Sequence, residues 1–213
     1  MKKVLYKIII IRLVFLVLII ASCNTDKQLA EIEKSVGLAE ISEDSLPQPE
    51  VREAITFILG RDKNENNKYY EEATNYYAFN PEGKTEHLIT NLRSLKEVID
   101  FLKKYRPANG MPWGLVNLVS HGNQWMGLSA KVTPESKRST SDRILEFIER
   151  KELTPVPKEI LDEKSVIFIH GCGIGHNSHL LKTIATAFSG KENKVTVRAS
   201  KLYEYYTSKK HKL

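Results

Sequence analysis

Cysteine is nearly absent from this chain: 213 residues contain two, Cys23 and Cys172. Two cysteines cannot build the disulfide framework by which many small exported domains compensate for a thin core. Metal-ligand spacing is also missing. His176 and His179 lie three apart, but no third ligand of the zinc-binding types accompanies them. No metal or other cofactor is therefore expected. A Gly-x-Ser-x-Gly elbow is absent too; Ser178 sits in His176-Asn-Ser-His179 without flanking glycines at the required offsets, which argues against a serine nucleophile of that kind. There is no internal repeat and no low-complexity segment.

An excess of one charge sign is lacking as well, once the amino terminus is considered. Lys2, Lys3 and Lys7 precede an apolar stretch from Ile8 to Ile20 that only Arg12 interrupts. That pattern is a targeting segment, and it is short for a spanning helix of ~20 residues. Residues 1–22 hold four basic and no acidic side chains. The remaining 191 residues carry 28 basic and 26 acidic ones, so the formal net charge of +6 falls to +2. Nothing in this balance points to nucleic acid. Ile20-Ala-Ser-Cys23 resembles the processing site of a bacterial lipoprotein. The resemblance implies lipid on Cys23, membrane association through it, and a place on the exported side of a cell envelope. Residues 23–50 are polar and acidic, end in Pro47-Gln-Pro49, and read as a tether. If Cys23 carries lipid, Cys172 is the one remaining thiol.

The folded part is expected to begin at Val51 and to form a single domain over 51–213. Short β-branched runs bounded by Gly or Pro read as strands at 54–60, 87–90, 115–120, 166–169 and 195–197. Helix spacing of apolar residues occupies 95–105, 141–150 and 179–188, with a further helix at 71–78. Thr140 or Ser141 suits an N-cap, and Gly190 a helix stop. Strands alternating with helices imply an α/β domain with a mostly parallel sheet of four to five strands sandwiched by helices. The tail Lys209-Lys-His-Lys212 reads as a solvated basic end.

Two strand ends carry chemistry. The run Leu115–Ser120 ends on His121-Gly122, and Ser165–Ile169 leads into His170-Gly-Cys172-Gly-Ile-Gly175. If both strands are parallel, their carboxyl ends share the edge where open α/β sheets bind ligands. A thiol and an imidazole would meet there, with glycine-flanked backbone N–H groups at hand. A cysteine nucleophile needs these: a base within reach and donors for an oxyanion.

Ser120-His121-Gly122 and the Cys172 segment, in that order and 51 residues apart from His121 to Cys172, resemble the caspase-like cysteine peptidases, the group of caspase, gingipain, clostripain, legumain and CHAT domains. In caspases the histidine lies about 50 residues upstream of the cysteine. The resemblance spans roughly residues 52–200. It implies Cys172 as nucleophile, His121 as acid/base, and the N–H groups of Gly122 and Cys172 as oxyanion donors. It implies a lipid-anchored cysteine endopeptidase acting on protein or peptide through a thioester. The chain departs from the pattern at Gly171, where many relatives have alanine. It also leaves little sequence after the last expected strand, so a second chain completing the substrate pocket is a further expectation. A papain-like arrangement is disfavoured, because only His176, His179 and His211 follow Cys172. His170, on a strand buried on both faces, reads as structural.

Arg61 and Asp62 follow the first strand on the same edge. Arginine there favours an acidic residue before the scissile bond, and aspartate a basic one. Trp125, beyond His121, is a candidate pocket wall. The rival to the enzyme is a binding lipoprotein that keeps the fold without turnover.

Overall fold

The computed structural model describes residues 51–63, 67–83, 85–193, 195–207 and 210–212. Lipid on Cys23, the targeting segment and the tether lie outside the described residues. No helix among the described residues is long and apolar enough to cross a membrane.

Five strands form one all-parallel sheet: β1 (Ala54–Ile58), β2 (His87–Ile89), β3 (Leu115–Val119), β7 (Val166–His170) and β8 (Thr196–Ala199), in the order β2-β1-β3-β7-β8. Between β3 and β7 lies a small antiparallel sheet, β4 (Gly122–Asn123), β5 (Gly127–Lys131) and β6 (Arg138–Ser139). Four helices complete the α/β pattern: α1 (Tyr69–Phe79), α2 (Leu95–Lys104), α3 (Ser141–Glu149) and α4 (Ser178–Ser189). The expected strands and helices are all present, with shifted ends. A hairpin of β9 (Tyr205–Thr207) and β10 (Lys210–Lys212) follows β8. The sequence expectation that 195–197 is the last strand is therefore corrected.

Alternation along the strands builds two unlike cores. On one face, Ile55, Phe57, Val116, Leu118, Ile167 and Ile169 pack with the apolar stripes of α2, α3 and α4 in a largely aliphatic core. On the other, Ile58 and Val119 meet Tyr69, Tyr70, Ala73, Tyr76 and Tyr77 of α1, with Tyr206 of β9. The α1 positions fall at i, i+3/i+4 and i+7, one side of a helix. The tyrosine core has buried polar neighbours on the same sheet face: Thr56, Asn117 and His170. Tyrosine suits that face because its hydroxyl can partner a buried polar group while its ring fills volume.

Helix ends follow the local sequence. Ser94 accepts from Glu97 N–H at 3.3 Å, and Glu97 Oε2 accepts from Arg93 N–H at 2.9 Å, a variant of the reciprocal capping arrangement. Thr140 caps α3 through Arg143 N–H. Gly190 closes α4 at φ +77°, a conformation that costs glycine little.

The chain leaves β1 sideways to β2, then crosses back to place β3 on the other side of β1. The reversal between β1 and β3 is a topological switch point, and open α/β sheets bind ligands beyond the strand carboxyl ends at such points.

Candidate functional site

The expected dyad grows from the register of β3 and β7. Val119 pairs with His170, and Ser120 N–H donates to His170 O at 3.0 Å, extending the ladder. Two residues further on, His121 and Cys172 leave neighbouring strands at the same level. Gly171 is explained by this closeness. A Cβ at Gly171 would stand 2.9 Å from Ser120 O, so alanine here requires the backbones to part.

His121 sits in an aromatic clamp. The Tyr69 ring stacks on the imidazole at 4.3 Å, and the Tyr70 ring meets it edge-on at 4.9 Å. Tyr70 OH accepts the His121 backbone N–H at 2.9 Å, and His121 Nε2 lies 3.4 Å from Asn67 Nδ2. Burial among these groups pushes the imidazole below the ordinary histidine range, with Asp62 pulling the other way. His121 then stays neutral at pH values where an exposed histidine is protonated. If His121 serves as a general base, the acid limb of a kcat/KM profile falls below ~6.5, the unperturbed value. Tyr69→Ala should raise it towards that value, which a pH–rate series measures.

Cys172 is half-buried. Its thiol donates to Glu204 O at 3.7 Å. No hydrogen bond joins Cys172 to His121 among the described residues. The Tyr69 ring covers the imidazole while its hydroxyl donates to His170 O at 3.2 Å. Gly173 adopts φ +65°, a 3₁₀ turn follows at Ile174–His176, and α4 begins only at Ser178. His176 is exposed on that turn.

Gly122 pairs with Leu128 in the small sheet. A Cβ there would stand 2.8 Å from Gly127 O and 3.1 Å from Ile174 Cδ1. Its backbone thus packs directly against the turn after Cys172.

Beyond the switch point opens a cleft of about 520 Å³, lined by Gly60, Arg61, Lys63, Asn67, Tyr70 and His121 among others. A second, smaller one of about 300 Å³ shares Gly60, Arg61 and Tyr70 and reaches Arg93. Among the described residues no carboxylate pairs with Arg61, Lys63 or Arg93. Asp62 is committed elsewhere, accepting the Tyr70 and Glu71 N–H groups at 3.1 and 2.9 Å. It caps α1, which Lys68 at the cap position does not do. Trp125 is 78% exposed beside Met126 at the β4–β5 turn, and it does not line the cleft beside His121.

His170 is structural, as expected. Its Nε2 lies 2.9 Å from Tyr77 OH and 3.1 Å from Asn117 Oδ1, and its Nδ1 lies 3.5 Å from Glu204 Oε2. Asn117 donates on to Thr56 at 3.1 Å. Sequence reasoning missed Tyr69, Tyr70 and Glu204. The tyrosines had a signal, the pairs 69–70 and 76–77 seven residues apart; Glu204 had none. No group of three or more His, Cys, Asp or Glu suited to hold a metal occurs among the described residues. Comparison of the chain with family models, with curated proteins and with solved structures returns no match.

Proposed function

We propose that residues 51–213 are a caspase-like cysteine endopeptidase domain, exported and held at a membrane by lipid on Cys23. The single observation that carries this reading is the β3–β7 register, which brings His121 and Cys172 out side by side at the carboxyl edge of the sheet, next to the switch point between β1 and β3. In the reaction, the Cys172 thiol gives its proton to His121 and sulfur attacks the peptide carbonyl carbon. The oxyanion is held by backbone N–H groups, those of Gly122 and Cys172 being the candidates. The C–N bond then breaks, and His121 returns the proton to the leaving amine. Water, deprotonated by His121, hydrolyses the thioester and frees the thiol.

Arg61 and Lys63 give the cleft beside His121 a positive lining, while Asp62 is occupied at α1. The specificity that fits is an acidic residue before the scissile bond. A peptide library cleaved by the full-length protein tests this. The parent should prefer Asp or Glu, and Arg61→Ala should lose most of that preference, by about 10- to 100-fold in kcat/KM. An unchanged preference removes Arg61 from the pocket.

A second reading is a binding lipoprotein of the same fold without turnover. The observation favouring it is that the thiol engages Glu204 O while Tyr69 covers His121. An absence of hydrolysis on every library peptide would select it.

A further inference from the structure

Three successive groups of the Cys172 turn are engaged by one stretch of chain. Gly175 N–H donates to Ser200 O at 2.8 Å and Gly173 N–H to Leu202 O at 3.0 Å. The Cys172 thiol donates to Glu204 O at 3.7 Å. Alternate carbonyls of an extended segment thus run along the turn, as in a strand laid against it. Close approach is built in: a Cβ at Gly175 would stand 2.5 Å from Ala199 O.

Two side chains anchor this segment. The Glu204 carboxylate is fully buried, with Oε2 3.5 Å from His170 Nδ1. Tyr206 is buried in the tyrosine core, its hydroxyl 3.4 Å from Tyr77 OH and its ring 5.4 Å from Tyr69. Before Glu204 the segment is loosely packed: Leu202 and Tyr203 are 58% and 73% exposed, while Tyr205 pairs with Lys212 in the β9–β10 hairpin. A segment with few buried apolar contacts opens locally at a fraction of the free energy of global unfolding.

We propose that Ser200–Tyr206 is an autoinhibitory strap that occupies the Cys172 turn and must lift before the thiol can meet His121 and a substrate. The proposal rests on Cys172 and His121 being the working dyad. With the strap down, the thiol proton is directed to Glu204 O, the Gly173 and Gly175 donors are taken, and Tyr206 backs the Tyr69 ring that covers the imidazole. Lifting the strap frees the turn's donors for the main chain of an extended peptide and withdraws the support behind Tyr69.

The test reads the thiol directly. Iodoacetamide alkylation at Cys172 of the full-length protein is followed by peptide mass, alongside hydrogen exchange of the Gly173 and Gly175 amides. Tyr206→Phe and Glu204→Gln keep shape and change a single side-chain group each; Tyr206→Ala removes an anchor. Each conservative variant should speed alkylation by about fivefold, the effect of deleting one hydrogen bond from a local opening equilibrium. Tyr206→Ala should exceed both, and the two glycine amides should lose protection in parallel. A core amide such as that of Leu118 reports whether a variant is folded.

Equal alkylation and equal glycine protection in folded variants and parent would overturn the strap. So would hydrolysis by the parent at a rate no strap variant increases. Faster alkylation with no hydrolysis in any variant would establish the strap while removing the peptidase reading.

Discussion

Cys172→Ala is expected to lower peptide hydrolysis by roughly 10⁴-fold or more, with the fold unchanged. The thiol is half-buried and donates one weak bond, to a backbone carbonyl. Its loss removes little packing, so the unfolding free energy from urea titration should fall by less than about 1 kcal/mol. His121→Ala should cost about 10²–10⁴-fold, the usual contribution of a general base. It should also cost some stability, because the imidazole fills the space between Tyr69 and Tyr70. Measuring kcat/KM and urea unfolding on the same preparations separates the two effects. Hydrolysis that survives Cys172→Ala would move the chemistry to another residue.

His170→Asn is expected to do the reverse. It should destabilise the protein by about 2–4 kcal/mol, because it breaks a buried, hydrogen-bonded network. Tyr77, Asn117 and Glu204 all have a polar atom within 3.5 Å of the His170 ring nitrogens. A shorter amide cannot meet all three, and a buried carboxylate is left with a poorer partner. Hydrolysis per folded molecule should not fall, because neither His121 nor Cys172 takes a hydrogen bond from the His170 ring. It should rise if weakening the Glu204 anchor loosens the strap. Denaturant titration gives the first quantity, and active-site titration with a thiol-directed probe the second. A hydrolysis loss matching that of His121→Ala would give His170 a part in the chemistry.

The parallel sheet was legible because its strands are concentrated, β-branched and flanked by turn residues. Leu115-Val-Asn-Leu-Val is buried on both faces and Val166-Ile-Phe-Ile is buried on one face and half-buried on the other, and such strands read as continuous apolar runs. Helices α2 and α3 announced themselves by spacing and by Ser94 and Thr140 at their caps. The three-stranded sheet was not legible. Two of its strands are two residues long, Gly122-Asn123 and Arg138-Ser139, too short for any alternation to register. Gly127 makes that sheet possible at φ +69°, where an added Cβ would lie 2.1 Å from Ser139 O, but one glycine in a loop does not reveal this. The β9–β10 hairpin was hidden because Lys210-His-Lys212 is composed like a charged tail.

The candidate site was legible in its residues and not in its state. Strand-end logic alone puts His121 and Cys172 on one edge, and the register agrees. The strap and the Tyr69 ring over His121 come from distant segments that only tertiary packing brings to the site. Asp62 shows the same limit: it lines the smaller cleft, as its position after β1 suggested, but the N–H groups at the start of α1 claim its carboxylate.

The central claim is a thioester on Cys172, and acid-quenched intact-protein mass spectrometry tests it most directly. The full-length protein and its Tyr206→Ala variant are mixed with a peptide ester bearing aspartate at the acyl position. The account predicts a mass gain equal to the acyl group, mapped to Cys172, larger in Tyr206→Ala, removed by hydroxylamine and absent from Cys172→Ala. No acylation of Cys172 in either protein, or an adduct that persists in Cys172→Ala, would contradict it.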